Sequence, residues 1–132
     1  MALLEVHNVT KDFDGLRAND DISFTLERGE LLGLIGPNGA GKTTLFNCIS
    51  GLHHLTSGRI IFAGEEITHL KAYEVARLGM ARTFQVYVAS GDLTVEENVM
   101  VGCFMRTQSR ALAKDRAGEI LTDLKLTDLA DY

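Results

Sequence analysis

Short apolar runs set off by glycine-marked turns organise this chain. Leu3-Leu4-Glu5-Val6-His7-Asn8-Val9 alternates well enough to predict a half-buried strand. A polar turn from Asp12 to Asn19 follows. Ile22, Phe24 and Leu26 then alternate with Ser23, Thr25 and Glu27, which predicts a one-faced strand ending at the Arg28-Gly29-Glu30 turn. Leu31-Leu32-Gly33-Leu34-Ile35 is an apolar run of strand length, and Leu45 to Ser50 reads as helix closed by Gly51. After a loop over His53 to Ser57, Arg59 to Ala63 is a further strand, Gly64-Glu65-Glu66 a hairpin tip and Ile67 the return. These strands predict a small antiparallel sheet lying against the segment that begins at Leu31.

Helical spacing takes over in the second half. Tyr73, Val75, Ala76 and Leu78 predict a short helix stopped by Gly79, and Met80 to Phe84 a strand delivering Gln85 to its end. Thr94-Val95-Glu96-Glu97 is a capping box, opening a helix from Val95 to about Cys103. A longer helix, about Ser109 to Leu124, carries Leu112, Ile120, Leu121 and Leu124 as its apolar face, with Gly118 weakening its middle. The chain has no internal repeat and no low-complexity tract.

The candidate chemistry lies between the third apolar run and the first helix. Gly36-Pro37-Asn38-Gly39-Ala40-Gly41-Lys42-Thr43-Thr44 matches the P-loop pattern, in the order strand, glycine loop, helix. Several backbone N–H groups must converge on a triphosphate, so the loop has to curl where no Cβ intrudes, as Gly36, Gly39 and Gly41 permit. The helix N-terminus adds free N–H groups and partial positive charge. Lys42 is the point charge for the β- and γ-phosphates, the Thr43 hydroxyl is placed for Mg²⁺, and Thr44 adds a donor.

Composition narrows the partners. The 132 residues suit one domain, and 13 basic against 18 acidic side chains, a net charge of −5, argue against a broad nucleic-acid footprint. Cys48 and Cys103 both lie in apolar stretches, which predicts free thiols and a reducing compartment. No signal-peptide pattern opens the chain, and no apolar run approaches the roughly 18 residues of a membrane span. Work at a membrane would proceed by docking on other subunits. His53-His54 reads as a solvated pair rather than a metal site, and Glu65-Glu66 and Glu96-Glu97 as a hairpin tip and a helix first turn.

From Asp20 to Gly64, with Gly33-Leu34-Ile35 entering the P-loop and Ser50-Gly51-Leu52 leaving it, the chain resembles the nucleotide-binding domain of ABC transporters. Leu45 to Gly51, Arg82-Thr83-Phe84-Gln85 and Leu93-Thr94-Val95-Glu96-Glu97-Asn98-Val99 are similar to the ATP-binding subunits of branched-chain amino-acid importers. The resemblance implies an α/β fold, a P-loop NTPase core of ABC ATPase type with an N-terminal antiparallel β-subdomain, lacking the second half of its parallel sheet. On that plan 1–132 is the N-terminal part of one ATP-binding domain. About 1–30 and 58–68 form the β-subdomain, 31–57 the P-loop unit, 69–92 the helix, strand and Q-loop, and 93–132 a helical segment.

The resemblance also implies roles. Phe13 stands where the family stacks an aromatic on adenine, although Asp14 replaces a usual glycine, and a core or turn aromatic is the alternative. Asn38, Gly39, Ala40, Gly41, Lys42, Thr43 and Thr44 bind ATP, with Asn38 near the γ-phosphate. Gln85 matches the Q-loop glutamine, which helps hold Mg²⁺ and the attacking water. Lys42 and Gln85 are the catalytic candidates, Thr43 and Gln85 the Mg²⁺ candidates. Val88-Ala89-Ser90-Gly91-Asp92 departs from the apolar anchor that relatives often place before the Thr-Val pair.

Expected partners are a second ATP-binding subunit and transmembrane permease subunits, with no nucleic acid and no direct membrane insertion. The location expected is cytoplasmic, peripheral on the inner face of the cell membrane through the permeases. The 132 residues contain no Leu-Ser-Gly-Gly-Gln-type signature, no apolar strand ending in Asp then Glu, and no switch histidine. The expectation is the N-terminal part of a longer ATPase that binds ATP without hydrolysing it, with a non-catalytic nucleotide-binding or assembly module, or another ABC ATPase, as the alternative. Unpaired edges around Leu31 to Ile35 predict self-association, strand exchange or partial disorder, most of all at Gln85 to Asp92 and the C-terminus.

Overall fold

Alternation at the start of the chain becomes two long antiparallel strands in the computed structural model, which describes residues 1–86 and 89–132. β1 (Ala2–Phe13) and β2 (Leu16–Glu27) turn through Asp14 and Gly15 alone, with φ of 34° and 98° and Phe13 opposite Leu16. Positive φ at both tip positions is the geometry whose twist matches the flanking strands, and an Asp-Gly pair adopts it readily. The broad polar turn predicted from Asp12 to Asn19 is corrected: Asp12 pairs with Arg17 and Lys11 with Asn19 in the ladder.

Strand β1 does not alternate evenly. Leu4 and Val6 are buried, and the next apolar residue inside is Val9, three positions on. Asn8 absorbs the extra residue at φ 48°, and the register with both neighbouring strands shifts there. The bulge is tied down by Asn8, whose backbone N–H donates to Ser23 Oγ (2.8 Å) and whose Nδ2 donates to Asp21 Oδ1 (2.8 Å). Without it Val9 would face the opposite side of the sheet.

β3 (Ser57–Phe62) pairs with the other edge of β1, and β4 (Glu65–Glu66) with β3, giving the antiparallel order β2-β1-β3-β4. The β3–β4 tip is Ala63-Gly64, at φ 51° and 85°, rather than Gly64-Glu65-Glu66, again because a two-residue turn needs both positions left-handed. Two helices join the sheet, α1 (Lys42–Ile49) and α2 (Ala72–Arg77). Leu45 and Ile49, four apart and so on one helix face, pack with Leu4, Val6, Val9, Ile60, Ile67 and Val75 in one buried cluster. Each such side chain contributes about 1.5–3 kcal/mol when fully buried. Cys48 is buried and free, and desolvation pushes its thiol pKa up against the opposing pull of Lys11.

Two predicted strands do not form. Residues 31–35 and 80–84 carry no strand structure, and Leu31 and Ile35 are 98% and 96% exposed. Their composition suits a strand, but strands exist by pairing, and no described segment forms a ladder with either run. The sheet among the described residues is therefore wholly antiparallel.

The chain divides into two compact units, Met1–Arg82, just described, and Thr83–Tyr132. The second is a helical pair, α3 (Val95–Cys103) and α4 (Arg110–Asp123), followed by a 3-10 turn at Thr127–Leu129. The capping box forms as predicted: Thr94 Oγ1 accepts from the Glu97 N–H (3.2 Å), and the Thr94 N–H donates to Glu97 Oε2 (3.1 Å). Ser109 Oγ caps α4 by accepting from the Leu112 N–H. The buried face of α4 is Ala113, Ala117 and Leu121; of the predicted apolar set Leu121 is buried and Ile120 partly so, while Leu112 and Leu124 are each 60% exposed. Ala113 and Ala117 meet Met100 and Cys103 of α3, small residues letting the helices approach closely. The C-terminus is held rather than loose. The Val95 N–H donates to the Tyr132 carbonyl (2.8 Å) and the Glu96 N–H to that of Ala130 (2.9 Å), satisfying first-turn donors of α3.

Candidate functional site

The glycine loop is built around left-handed backbone at two of its glycines. Residues 31–37 lead in without regular structure, the Ala40 N–H donates to the Pro37 carbonyl (3.2 Å), and Gly39 stands at φ 83°. Gly41, at φ 85°, is the N-cap of α1, and its carbonyl accepts the first helical bond from Leu45 (2.9 Å). A Cβ at Gly41 would lie 2.1 Å from the Ala18 carbonyl oxygen, so conformation and space both demand glycine. A Cβ at Gly36 would press on Ala40 at 3.3 Å.

The far side of the loop is fixed by Lys42. Its Nζ donates to the carbonyls of Gly36 and of Pro37, the latter at 2.7 Å, so the first helical residue spans back across the curl. Asn38, Gly39, Ala40 and Thr43 are exposed, while Lys42 and Thr44 are half-buried.

The N-terminus of α1 differs from those of the other three helices. Glu74 closes α2, Thr94 and Glu97 close α3, and Ser109 caps α4. No side chain caps α1 and no acidic residue sits in its first turn. Its free N–H groups and the positive end of its dipole therefore face outward beside the Lys42 ammonium, an arrangement suited to phosphate oxygens. The donor set fits a nucleotide phosphate chain, and the exposed Thr43 hydroxyl is the hard oxygen ligand that Mg²⁺ prefers.

Phe13 belongs to the same unit. Gly41 rests on Ala18 and Asn19 of β2, Asn19 pairs with Lys11, and Phe13 lies two residues further along β1, about 7 Å by strand rise. The residue is 38% exposed, with the His53 ring edge-on at 5.4 Å and Lys11 Nζ 4.6 Å from the ring centre. His53 is thus half-buried against Phe13 instead of solvated beside the exposed His54. Among the described residues no group of three or more His, Cys, Asp or Glu side chains is arranged to hold a metal, and no helix is long and apolar enough to cross a membrane.

Gln85 lies at the start of the second unit, exposed and in a bend. Of Val88-Ala89-Ser90-Gly91-Asp92, Val88 falls outside the described residues, as does Tyr87. Ser90 exchanges bonds with Asn98 of α3, its N–H donating to Oδ1 (2.9 Å) and its carbonyl accepting from Nδ2 (3.1 Å).

Three contributors are not evident from the motif. Asn19 donates from Nδ2 to the Gly41 carbonyl (3.1 Å). Arg82 braces α1 through Nη1, which donates to Asn47 Oδ1 (2.7 Å) and Ser50 Oγ (3.1 Å). Asn98 orders the loop before α3 through Leu93 and Thr94 as well as Ser90. Arg82 lies in the Arg82-Thr83-Phe84-Gln85 string and Asn98 in Leu93-Thr94-Val95-Glu96-Glu97-Asn98-Val99, whereas Asn19 belongs to neither.

Comparison with known proteins places the chain in a family and a fold. The ABC transporter family model matches residues 19–132. The probable branched-chain amino acid transport ATP-binding protein LivG of Archaeoglobus fulgidus is 36% identical over 143 residues, covering 99% of this chain and 56% of that protein. The high-affinity branched-chain amino acid transport ATP-binding protein BraF of Pseudomonas aeruginosa is 40% identical over 111 residues, covering 84% of this chain and 44% of its own length. The crystal structure of a nucleotide-free ATP-binding cassette from an ABC transporter superposes with a TM-score of 0.84 at 32% identity, over 99% of this chain and 57% of that one. The chain spans about half the length of the curated relatives it matches. It has the fold of an ABC ATPase cassette in part, and it belongs to the ABC transporter family.

Proposed function

We propose that the protein is the ATP-binding subunit of an importer, with branched-chain amino acids as the cargo class, and that these 132 residues bind Mg-ATP without turning it over. The observation that carries the reading is the uncapped N-terminus of α1 behind a glycine loop spanned by Lys42. The names of the relatives support the cargo class.

In this reading the amides of Gly39, Ala40, Gly41, Lys42, Thr43 and Thr44 take the phosphate oxygens. The Lys42 ammonium exchanges its carbonyl partners for the β- and γ-phosphates. Thr43 presents its hydroxyl to Mg²⁺, Thr44 adds a donor, and Asn38 lies toward the γ-phosphate. Phe13 offers a ring face to the base. Gln85 is the residue whose amide oxygen would ligate Mg²⁺ and accept from the attacking water. When bound, Mg-ATP would supply the γ-phosphoryl group, whose transfer to water breaks the β–γ phosphoanhydride bond and leaves ADP and phosphate, the step that would drive transport. The residues present position and neutralise charge, but none supplies the general base that the family resemblance assigns to a glutamate after an apolar strand. A second ATP-binding subunit and permease subunits would complete the machine, holding it peripherally on the inner face of the cell membrane.

Calorimetry with Mg-ATP, paired with a phosphate-release assay, tests this. Binding by the chain, at least tenfold weaker binding by Lys42→Ala and no phosphate release are expected. Equal binding by the variant would refute the assigned P-loop role, and turnover by the chain would refute binding without hydrolysis.

A further inference from the structure

Asn19 is 6% exposed, the fourth residue of β2, and its amide lies against Gly41 at the exit of the glycine loop. Its Nδ2 donates to the Gly41 carbonyl across 22 residues of sequence, while its Oδ1 is buried with no hydrogen-bond partner among the described residues. The amide orientation follows from the contact: turned over, it would set two oxygens face to face at that distance. A buried amide with half of its capacity unsatisfied is a liability that an apolar side chain of the same size would remove. The bond it does make falls on Gly41, the left-handed N-cap from which the first helical bond of α1 also springs.

The Gly41 carbonyl is thus shared between the Leu45 N–H and the Asn19 amide. Two donors from different directions fix the plane of the peptide that joins Gly41 to Lys42. That plane sets where the Lys42 N–H points and how the first turn of α1 is presented. Ala18 stands on the same side of Gly41 as Asn19: a Cβ there would meet the Ala18 carbonyl oxygen at 2.1 Å and Asn19 Nδ2 at 2.8 Å.

We propose that Asn19 is a positioning residue for phosphate binding: its amide holds the Gly41–Lys42 peptide in the orientation that aims the loop donors at a phosphate chain. This deepens the nucleotide-site reading and rests on it. The role acts through backbone, so it applies to the phosphates and not to the base. Asn19→Leu removes the unsatisfied oxygen together with the bond, so it leaves melting temperature unchanged or higher while weakening phosphate binding.

The test measures binding of Mg-ATP and of magnesium tripolyphosphate to the wild-type chain, Asn19→Leu and Asn19→Asp, with thermal melts of each. Both variants should bind both ligands about tenfold more weakly, and Asn19→Leu should melt no lower than wild type. Unchanged affinity, a loss confined to ATP, or a loss that merely follows a lowered melting temperature would overturn the proposal. Wild-type binding with unaltered variants defeats this inference alone, whereas no binding by wild type defeats the nucleotide-site reading and this one with it. Should the variants fail to fold, the wild type still decides: the Asn19 side-chain amide resonances should move on saturation with tripolyphosphate, and unmoved resonances would overturn the role.

Discussion

At the scale of single residues, the site depends on what cannot be added to it. Gly41 combines φ 85° with a β2 carbonyl 2.1 Å from where a Cβ would go. Gly41→Ala should therefore lower stability by about 2 kcal/mol or more and reduce Mg-ATP affinity at least tenfold, in thermal melts and calorimetry. An alanine variant with wild-type melting and binding would show that the loop conformation is not the one described. The motif makes this glycine legible in the sequence as part of a P-loop pattern. Its steric reason was not legible, because Ala18 lies 23 positions away and reaches Gly41 only once β2 is folded beneath α1. Asn19 escaped for the same reason: within a polar Asn19-Asp20-Asp21 run it reads as part of a turn, and only the two-residue hairpin at Asp14-Gly15 places it in a strand facing inward.

At the scale of elements, local signals survived and non-local ones did not. The span of α3, Val95–Cys103, was predicted because its start is written in Thr94 and Glu97, which satisfy each other within four residues. Thr94→Ala should cost about 1 kcal/mol in urea unfolding, with Thr94→Ser keeping most of it; no loss in the alanine variant would mean that the cap is not engaged. The runs at 31–35 and 80–84 have strand composition, yet composition is silent about whether a partner strand lies alongside. Of the apolar face predicted for α4, Leu121 is buried and Ile120 packs on the cluster while Leu112 and Leu124 stay exposed; Ala113 and Ala117 take the inner places by being small enough for Met100 and Cys103 to come close. The C-terminal residues were expected to be loose, and backbone bonds to the first turn of α3 hold them, a contact that no side-chain pattern encodes.

At the scale of the molecule, the net charge of −5 means that no broad positive field draws a nucleotide in. On the proposed reading, attraction comes from the local donors of α1 and Lys42, all within Met1–Arg82. That makes the claim testable by where a ligand acts as much as by whether it binds. The most direct measurement is amide hydrogen exchange of the whole chain with and without Mg-ATP, repeated on Lys42→Ala. Ligand at a hundred times its Kd stabilises the bound form by about 2.7 kcal/mol, roughly a hundredfold slowing of exchange through the opening it suppresses. The account predicts protection concentrated over residues 36–49 and absent in the lysine variant. Unaltered exchange across 36–49 in the wild type, or the same protection in Lys42→Ala, would contradict it.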